Sequence, residues 1–412
     1  MSSEFNTDFA FEVKEHVIPC QHIRGYPQSA REPSAVLRIA VKNYVPKHHA
    51  DSSQPSVTII AAHANGIVKE TYEPLWEELN ARVKGRIRGI WIADCSHQGA
   101  SGILNENIQG DDHLLLMINQ FRESIRPPII GVAHSMGCAQ LVQLATMHPQ
   151  LFQSLILIEP VIQETIPAGP NAALMTSLRP DRWESLDSAK SHFMNNKFHK
   201  SWDRRALQKY LEYGLRRLPT ALYPEDSRSD AVTLTTTKAQ EAWSYVRSTF
   251  APRTLDGQLD EEERRMTADY TSEHAKYVFH RAEAGSALHL LSFLQPSVKW
   301  IFGSRSYINR RAECESKIQR TGKDARGSGG VTAEFIDGGG HLVALEMIPE
   351  TATTIASHIK AELIQYDKYK DFWDKYASGK SDITGHGLSK TWIDGVRQRS
   401  DTLRPLKAKE KL

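Results

Sequence analysis

The sequence has little from which to build a covalent or metal-held framework. Its four cysteines, Cys20, Cys95, Cys138 and Cys314, lie far apart with no C-x-x-C pair, which excludes a zinc ribbon or a disulfide-dense scaffold and favours a reducing compartment. It also lacks an excess of one charge. The 51 Lys and Arg nearly cancel the 49 Asp and Glu, leaving +2, so no global field favours nucleic acid or an acidic membrane. There is no apolar run long enough to span a bilayer, and the start, MSSEFNTDFAFEVKEHV, carries acidic residues where a signal peptide needs an apolar centre. Internal repeats and low-complexity stretches are missing as well. These absences predict a soluble, non-secreted protein that acts on a small molecule and needs neither a metal nor an organic cofactor.

What the 412 residues do contain is a regular alternation of buried strands and helices. FEVKEHVIP and AVLRIAVKNYV, separated by a loop with Pro and Gly, predict an antiparallel hairpin at a sheet edge. Then VTIIAAH (Val57 to His63), IRGIWIAD (Ile87 to Asp94), PPIIGVAH (Pro127 to His134) and SLILIEPVI (Ser154 to Ile162) follow as short β-branched runs with helical stretches between them. That rhythm implies right-handed βαβ crossovers and a mostly parallel sheet, an α/β fold. Strand signal stops over residues 163–271, where RRALQKYLEYGLRRL and TTKAQEAWSYVRSTF read as helices. It resumes with SVKWIFG and VTAEFIDGGGH. The expected organisation is a core in two parts, 1–162 and 272–365, a helical cap inserted at 163–271, and a helical tail at 366–412.

The sharpest chemical signal is GVAHSMG, Gly131 to Gly137, which closes one strand and opens a helix. Acyl transfer needs a serine on a strained strand-to-helix turn, with small neighbours so that the chain can fold sharply and lift the hydroxyl into the site. Ala133 and Gly137 are those neighbours and Ser135 is the candidate nucleophile. A small-x-Ser-x-Gly pentad also occurs at an ordinary helix N-cap, and it is the strand before and the helix after that favour the catalytic reading. IDGGGHLVALE then ends the last strand in three glycines and His341. A base that reaches across to the serine sits well on such a loop, so His341 is the candidate base among 17 histidines.

The acid that should orient the base is not where this order of residues leads one to look. The loop after the next-to-last strand reads IFGSRSYIN and has no carboxylate. Glu159, at the end of the apolar run Leu155 to Ile158, is the substitute, because a carboxylate there is costly unless paired. Asp337 and Glu313 remain open as alternatives, as does the absence of an acid. VTIIAAHANGIVKE supplies the expected oxyanion loop: one donor is the amide of Asn65, and the second is that of Met136, directly after the serine. His63 reads as structural, and ADCSHQGAS, Ala93 to Ser101, as a wall of the site.

Taken together, HANG, ADCSHQGAS, AHSMG and GGGH resemble the α/β-hydrolase superfamily in the right order, over about residues 55 to 365. Glu159 in LIEP and the acid missing from IFGSRS resemble, within it, the fungal peroxisomal hydrolases of toxin and mycophenolic-acid biosynthesis, although that group more often carries aspartate. The resemblance implies Ser135, Glu159 and His341 as a catalytic triad, and hydrolysis of an acyl-CoA thioester or an ester in secondary metabolism. Basic pairs in the cap, Arg204-Arg205 and Arg216-Arg217, are candidates for CoA phosphates, though a solvated helix face is the better explanation for any one of them. The last residues, Glu410, Lys411 and Leu412, resemble a Ser-Lys-Leu peroxisomal signal that an import receptor would read, and read also as a charged frayed tail. The family otherwise points to the peroxisome, with the cytoplasm as the alternative. Rival readings are a carboxylesterase or lipase, a catalytically silent hydrolase-fold binding protein, and a lyase or cyclase using the same pocket.

Overall fold

The computed structural model describes residues 9–20, 35–48, 55–107, 115–165, 167–226, 228, 230–246, 254–258, 260–266, 282–325, 329–378, 388 and 390–398. In chain order the elements are β1 (Phe11–Pro19), β2 (Arg38–Pro46), β3 (Val57–Ala62), α1 (Glu73–Val83), β4 (Ile87–Ala93), α2 (Gly99–Leu104), α3 (Leu115–Gln120), β5 (Ile129–His134), α4 (Met136–Met147) and β6 (Ser154–Ile158). Next come α5 (Ala172–Leu178), β7 (Arg182–Trp183), α6 (Leu186–Asn195), α7 (Arg204–Tyr213), β8 (Leu215–Arg217), β9 (Val232–Leu234), α8 (Lys238–Tyr245) and α9 (Glu261–Met266). The last are α10 (Ala282–Leu290), β10 (Ser297–Gly303), α11 (Arg311–Arg320), β11 (Val331–Ile336), α12 (Val343–Glu346), α13 (Ile348–Ser378) and α14 (Lys390–Gln398).

The main sheet runs β1-β2-β4-β3-β5-β6-β10-β11. Every pairing from β4 to β11 is parallel, while β1, β2 and β4 pair antiparallel. The strands β3, β5 and β6 are buried along their whole length, and their side chains alternate between two hydrophobic clusters. Ile59, Ala61, Ile130, Val132, Ile156 and Ile158 belong to one cluster. Ile60, Ala62, Ile129, Ala133, Leu155 and Leu157 belong to the other. A strand whose two faces are both covered has to be apolar at every position, which explains continuous runs such as VTIIAA and SLILI. Each large aliphatic side chain so buried contributes about 1.5–3 kcal/mol. The edge strand β1 is mostly exposed and carries Glu12, Lys14 and Glu15, charges that discourage further strand pairing.

Strand order reverses between β3 and β5, which are neighbours paired with Ala62 opposite Ala133. Loops leaving such a point diverge to opposite faces and open a crevice at the carboxyl ends of the strands. Asn65 leaves β3 and Ser135 leaves β5 at that crevice. Residues 163–271, expected to be helical, also carry a small antiparallel sheet in the order β7-β9-β8. Its strands are two or three residues long, too short to leave an alternation in the sequence. The helices around it are capped conventionally. Asp203 accepts from Arg205 at the start of α7, and Thr237 with Gln240 forms a capping box at α8.

The chain divides into two compact units, residues 1–363 and 364–412. The first holds both sheets and the start of α13, whose Ala352, Ile355, Ala356, Ile359 and Leu363 recur at helical spacing in one cluster. The second consists, among its described residues, of the rest of α13 and of α14. No described helix is long and apolar enough to cross a membrane. None of the four cysteines forms a disulfide. The tail residues Glu410, Lys411 and Leu412 lie outside the described residues.

Candidate active site

Ser135 sits between β5 and α4 with φ 56° and ψ −116°. For a residue with a Cβ this is strained backbone, a cost of about 1–3 kcal/mol that the surroundings must hold in place. They do so with hydrogen bonds from adjacent strands: the Ser135 amide donates to the Ile158 carbonyl at 2.9 Å, and the Val161 amide donates to the Ser135 carbonyl at 3.2 Å. Gly137 is required by close approach, since a Cβ there would lie 2.6 Å from the Ala62 carbonyl oxygen. The strand-to-helix turn read from AHSMG is therefore present, and the serine lies in its bend.

Three side chains from three loops meet there. Ser135 Oγ donates to His341 Nε2 at 2.9 Å, and His341 Nδ1 donates to Glu159 Oε2 at 3.2 Å. These roles follow from chemistry: an ionised carboxylate only accepts, so Nδ1 carries the ring proton and Nε2 is the free acceptor. Glu159, which has no exposed surface, is also at positive φ, 45°. Its Oε1 accepts the Gly303 amide at 2.7 Å, and Oε2 accepts Ser306 Oγ at 2.6 Å and Asn309 Nδ2 at 2.9 Å. A buried carboxylate is thus met by four donors. Three of the donors, Gly303, Ser306 and Asn309, come from the end of β10 and the loop after it, IFGSRSYIN, which has no carboxylate of its own. Gly303 has to be glycine because a Cβ would lie 2.4 Å from the Gly339 carbonyl oxygen, where β10 meets the loop that carries His341. The alternative acids are engaged elsewhere: Asp337 accepts Ser304 Oγ at 3.1 Å, and Glu313 accepts Arg310 at 2.7 Å.

The loop after β3 is held by side chains rather than by sheet. Asn65 Nδ2 donates to the Glu241 carbonyl at 2.9 Å, and Gln98 Nε2 donates to Asn65 Oδ1 at 2.7 Å while Gln98 Oε1 accepts the Gly66 amide at 2.9 Å. Behind them Asp94 accepts the Lys69 amide at 3.1 Å and its ammonium at 2.5 Å. Burial works against that ammonium, but Asp94 and Glu70 hold Lys69 above the ordinary lysine range. The Asn65 amide itself donates to no protein acceptor among the described residues. The Met136 amide, first in α4, has no intrahelical acceptor. His63 bonds the Ala64 carbonyl and accepts the Cys95 amide, a loop-bracing role. ADCSHQGAS, expected as a wall of the site, supplies the Asp94 and Gln98 braces.

One further pair, which no motif marks, joins the site. His134, the residue before Ser135, donates from Nε2 to the His341 carbonyl at 2.9 Å and accepts at Nδ1 from the Tyr72 hydroxyl, also at 2.9 Å. Tyr72 in turn accepts the Ala64 amide at 2.9 Å. Burial, with His341 as a second cause, pushes His134 down to about 3, so its ring is neutral at neutral pH. The histidine directly beside the serine in AHSMG was the available clue. Among the basic cap residues, Arg205 pairs with Asp203 and Glu78, Arg216 with Glu106, and Arg217 lies 3.8 Å from Asp230.

Comparison with known proteins gives the family and the fold. The pattern of the alpha/beta hydrolase family matches residues 59–353. The type I acyl-CoA thioesterase mpaH of Penicillium roqueforti is 34% identical over 95% of this chain and 95% of its own, and that of Penicillium brevicompactum 34% identical over 95% and 98%. Among solved structures, the peroxisomal alpha-beta-hydrolase Lpx1 of Saccharomyces cerevisiae superposes with a TM-score of 0.65 at 18% identity, covering 94% of this chain and 95% of that one. With the family pattern covering well over half its length, the chain belongs to the alpha/beta hydrolase family.

Proposed function

We propose that this hydrolase cleaves an acyl-CoA thioester through an acyl-enzyme intermediate. Ser135 Oγ attacks the thioester carbonyl as His341 Nε2 takes its proton. The amides of Asn65 and Met136 hold the oxyanion, each worth about a hundred- to a thousandfold in turnover. The carbon–sulfur bond then breaks, and the departing CoA thiolate takes the proton from His341. Water attacks the acyl-serine with His341 again as base, and the free acid leaves. Glu159 keeps the imidazole in the tautomer that leaves Nε2 free and stabilises the imidazolium as it forms.

The observation that carries this reading is the continuous hydrogen-bonded line Ser135–His341–Glu159. The thioester is favoured over other esters by the likeness to proteins named acyl-CoA thioesterases over nearly the whole of both chains. A role in secondary metabolism rests on the resemblance of the LIEP and IFGSRS segments to the fungal hydrolases of toxin and mycophenolic-acid biosynthesis. The test is release of free CoA from a panel of acyl-CoAs by the wild type, Ser135→Ala and Glu159→Gln. Turnover that both variants lose supports the proposal; cleavage of aryl esters with no cleavage of any acyl-CoA replaces it with a carboxylesterase. The same reading puts the protein in the peroxisome, with Glu410, Lys411 and Leu412 as the address. A fluorescent fusion that stays cytosolic with the tail intact refutes that part.

A further inference from the structure

Glu159 poses an electrostatic problem that the triad does not solve. Before reaction His341 must be neutral to act as base, so the buried carboxylate cannot be balanced by an imidazolium, and a buried anion without a counter-charge is expensive. Across Asn309 lies a cation in the same predicament. Lys317 on α11 is 1% exposed. Its ammonium makes one hydrogen bond among the described residues, from Nζ to Asn309 Oδ1 at 2.8 Å. The other end of that amide, Nδ2, donates to Glu159 Oε2 at 2.9 Å. The two ends of a carboxamide are not interchangeable here: a lysine can only donate, so its presence at Oδ1 turns Nδ2 towards the carboxylate. Carboxylate, amide and ammonium form a split ion pair with a neutral dipole between the charges.

We propose that Lys317 is a positioning residue of the reaction: through Asn309 it orients the Glu159 carboxylate, and its ammonium balances that carboxylate while His341 is neutral. This rests on the reading of Ser135 and His341 as nucleophile and base. Burial pulls the Lys317 ammonium down, and Cys314, Glu159 and Glu313 oppose that pull. Other groups facing the pair do not supply the charge. His134 is pushed down by burial, and Cys138, Tyr307 and Cys314 are pushed up by it, so all four are neutral at pH 7. Arg305 is spent on the Gly338 carbonyl, and Asp337 on Ser304. Glu346 accepts the Gly340 amide and Glu313 accepts Arg310.

The consequence is a pH dependence. With the ammonium gone, the Glu159 charge is met only by protonated His341, so the imidazolium persists to higher pH and the acid limb of serine reactivity moves up. The experiment measures the rate of covalent labelling by a fluorophosphonate probe against pH for the wild type, Lys317→Gln and Lys317→Arg, each checked by thermal melting. Gln can still donate to Asn309 but carries no charge, and its limb is expected to move up by about one pH unit. Arg keeps the charge, and its limb is expected to stay with the wild type even if the plateau rate falls. A limb that stays put in Lys317→Gln, or that moves as far in Lys317→Arg, overturns the proposal. Labelling needs no thioester, so the thioesterase reading can fail while this inference stands. A wild type that the probe does not label removes both.

Discussion

The Tyr72 hydroxyl donates to Nδ1 of His134 at 2.9 Å, and this one bond joins the loop that carries Asn65 to the loop that carries His341. On one side Tyr72 accepts the Ala64 amide, and on the other His134 donates to the His341 carbonyl. Removing the hydroxyl leaves the His134 acceptor and the Ala64 donor buried without partners, a cost of about 1–3 kcal/mol. Tyr72→Phe is therefore expected to lower the melting temperature and reduce kcat about tenfold while KM changes little, because the loss falls on geometry needed in the transition state. Steady-state kinetics beside a thermal melt check this, and an unchanged kcat would show that the link is structural alone.

The same histidine gives a sign to the acid stability of the fold. Its folded value of about 3 lies below the ordinary 6.5, so below about pH 6.5 the unfolded chain binds a proton that the folded chain refuses. Stability contributed by neutral His134 is complete above that pH and is lost as pH falls towards 3. His199, pushed down to about 4 by burial and then by Arg179, acts in the same direction. His134→Asn is expected to flatten the dependence of unfolding free energy on pH in this window by close to one bound proton, read from denaturant melts at several pH values.

Replacing Glu159 with glutamine keeps the volume but supplies an amide where four donors converge. The tautomer of His341 is no longer enforced, and kcat is expected to fall about a thousandfold or more. Substrate binding should survive, so the check is single-turnover acylation at saturating substrate. A loss below tenfold would mean that Glu159 is not the orienting acid.

Asp94→Asn tests the brace behind the oxyanion loop. It leaves the Lys69 ammonium, 2% exposed, with Glu70 as its remaining carboxylate partner. Breaking a buried pair from one side costs about 3–5 kcal/mol. A variant that unfolds at clearly lower denaturant concentration and loses activity with it is the expected result. One as stable as the wild type would mean that Glu70 alone carries the lysine.

Much of this site was legible because the constraints that make it are local. A serine between a buried strand and a helix, with Gly137 against the Ala62 backbone, leaves its mark within seven residues. A carboxylate at the end of SLILI is conspicuous since nothing else there is polar. What escaped was whatever depends on who meets whom across the sheet. Ser306 and Asn309 stood in a segment judged by its lack of an acid, although what a displaced acid needs is donors. Nothing in the sequence sets Lys317 apart from the other lysines, or Tyr72 from the other tyrosines, because their partners are set by the fold and not by a motif. The strands β7, β8 and β9 escaped for another reason: two or three residues in extended conformation carry no period.

The placement of Glu159 after β6 has a mechanical side. Ser135 and Glu159 leave adjacent strands and are stitched together by backbone bonds from Ser135 to Ile158 and from Val161 to Ser135. The spacing of these two backbone positions is therefore set by the sheet itself. His341 reaches them from the loop after β11, which His134 holds at the His341 carbonyl and Arg305 at the Gly339 carbonyl. The assembly of the site therefore reduces to one placement, that of the β11 loop above two strands whose own spacing the sheet sets.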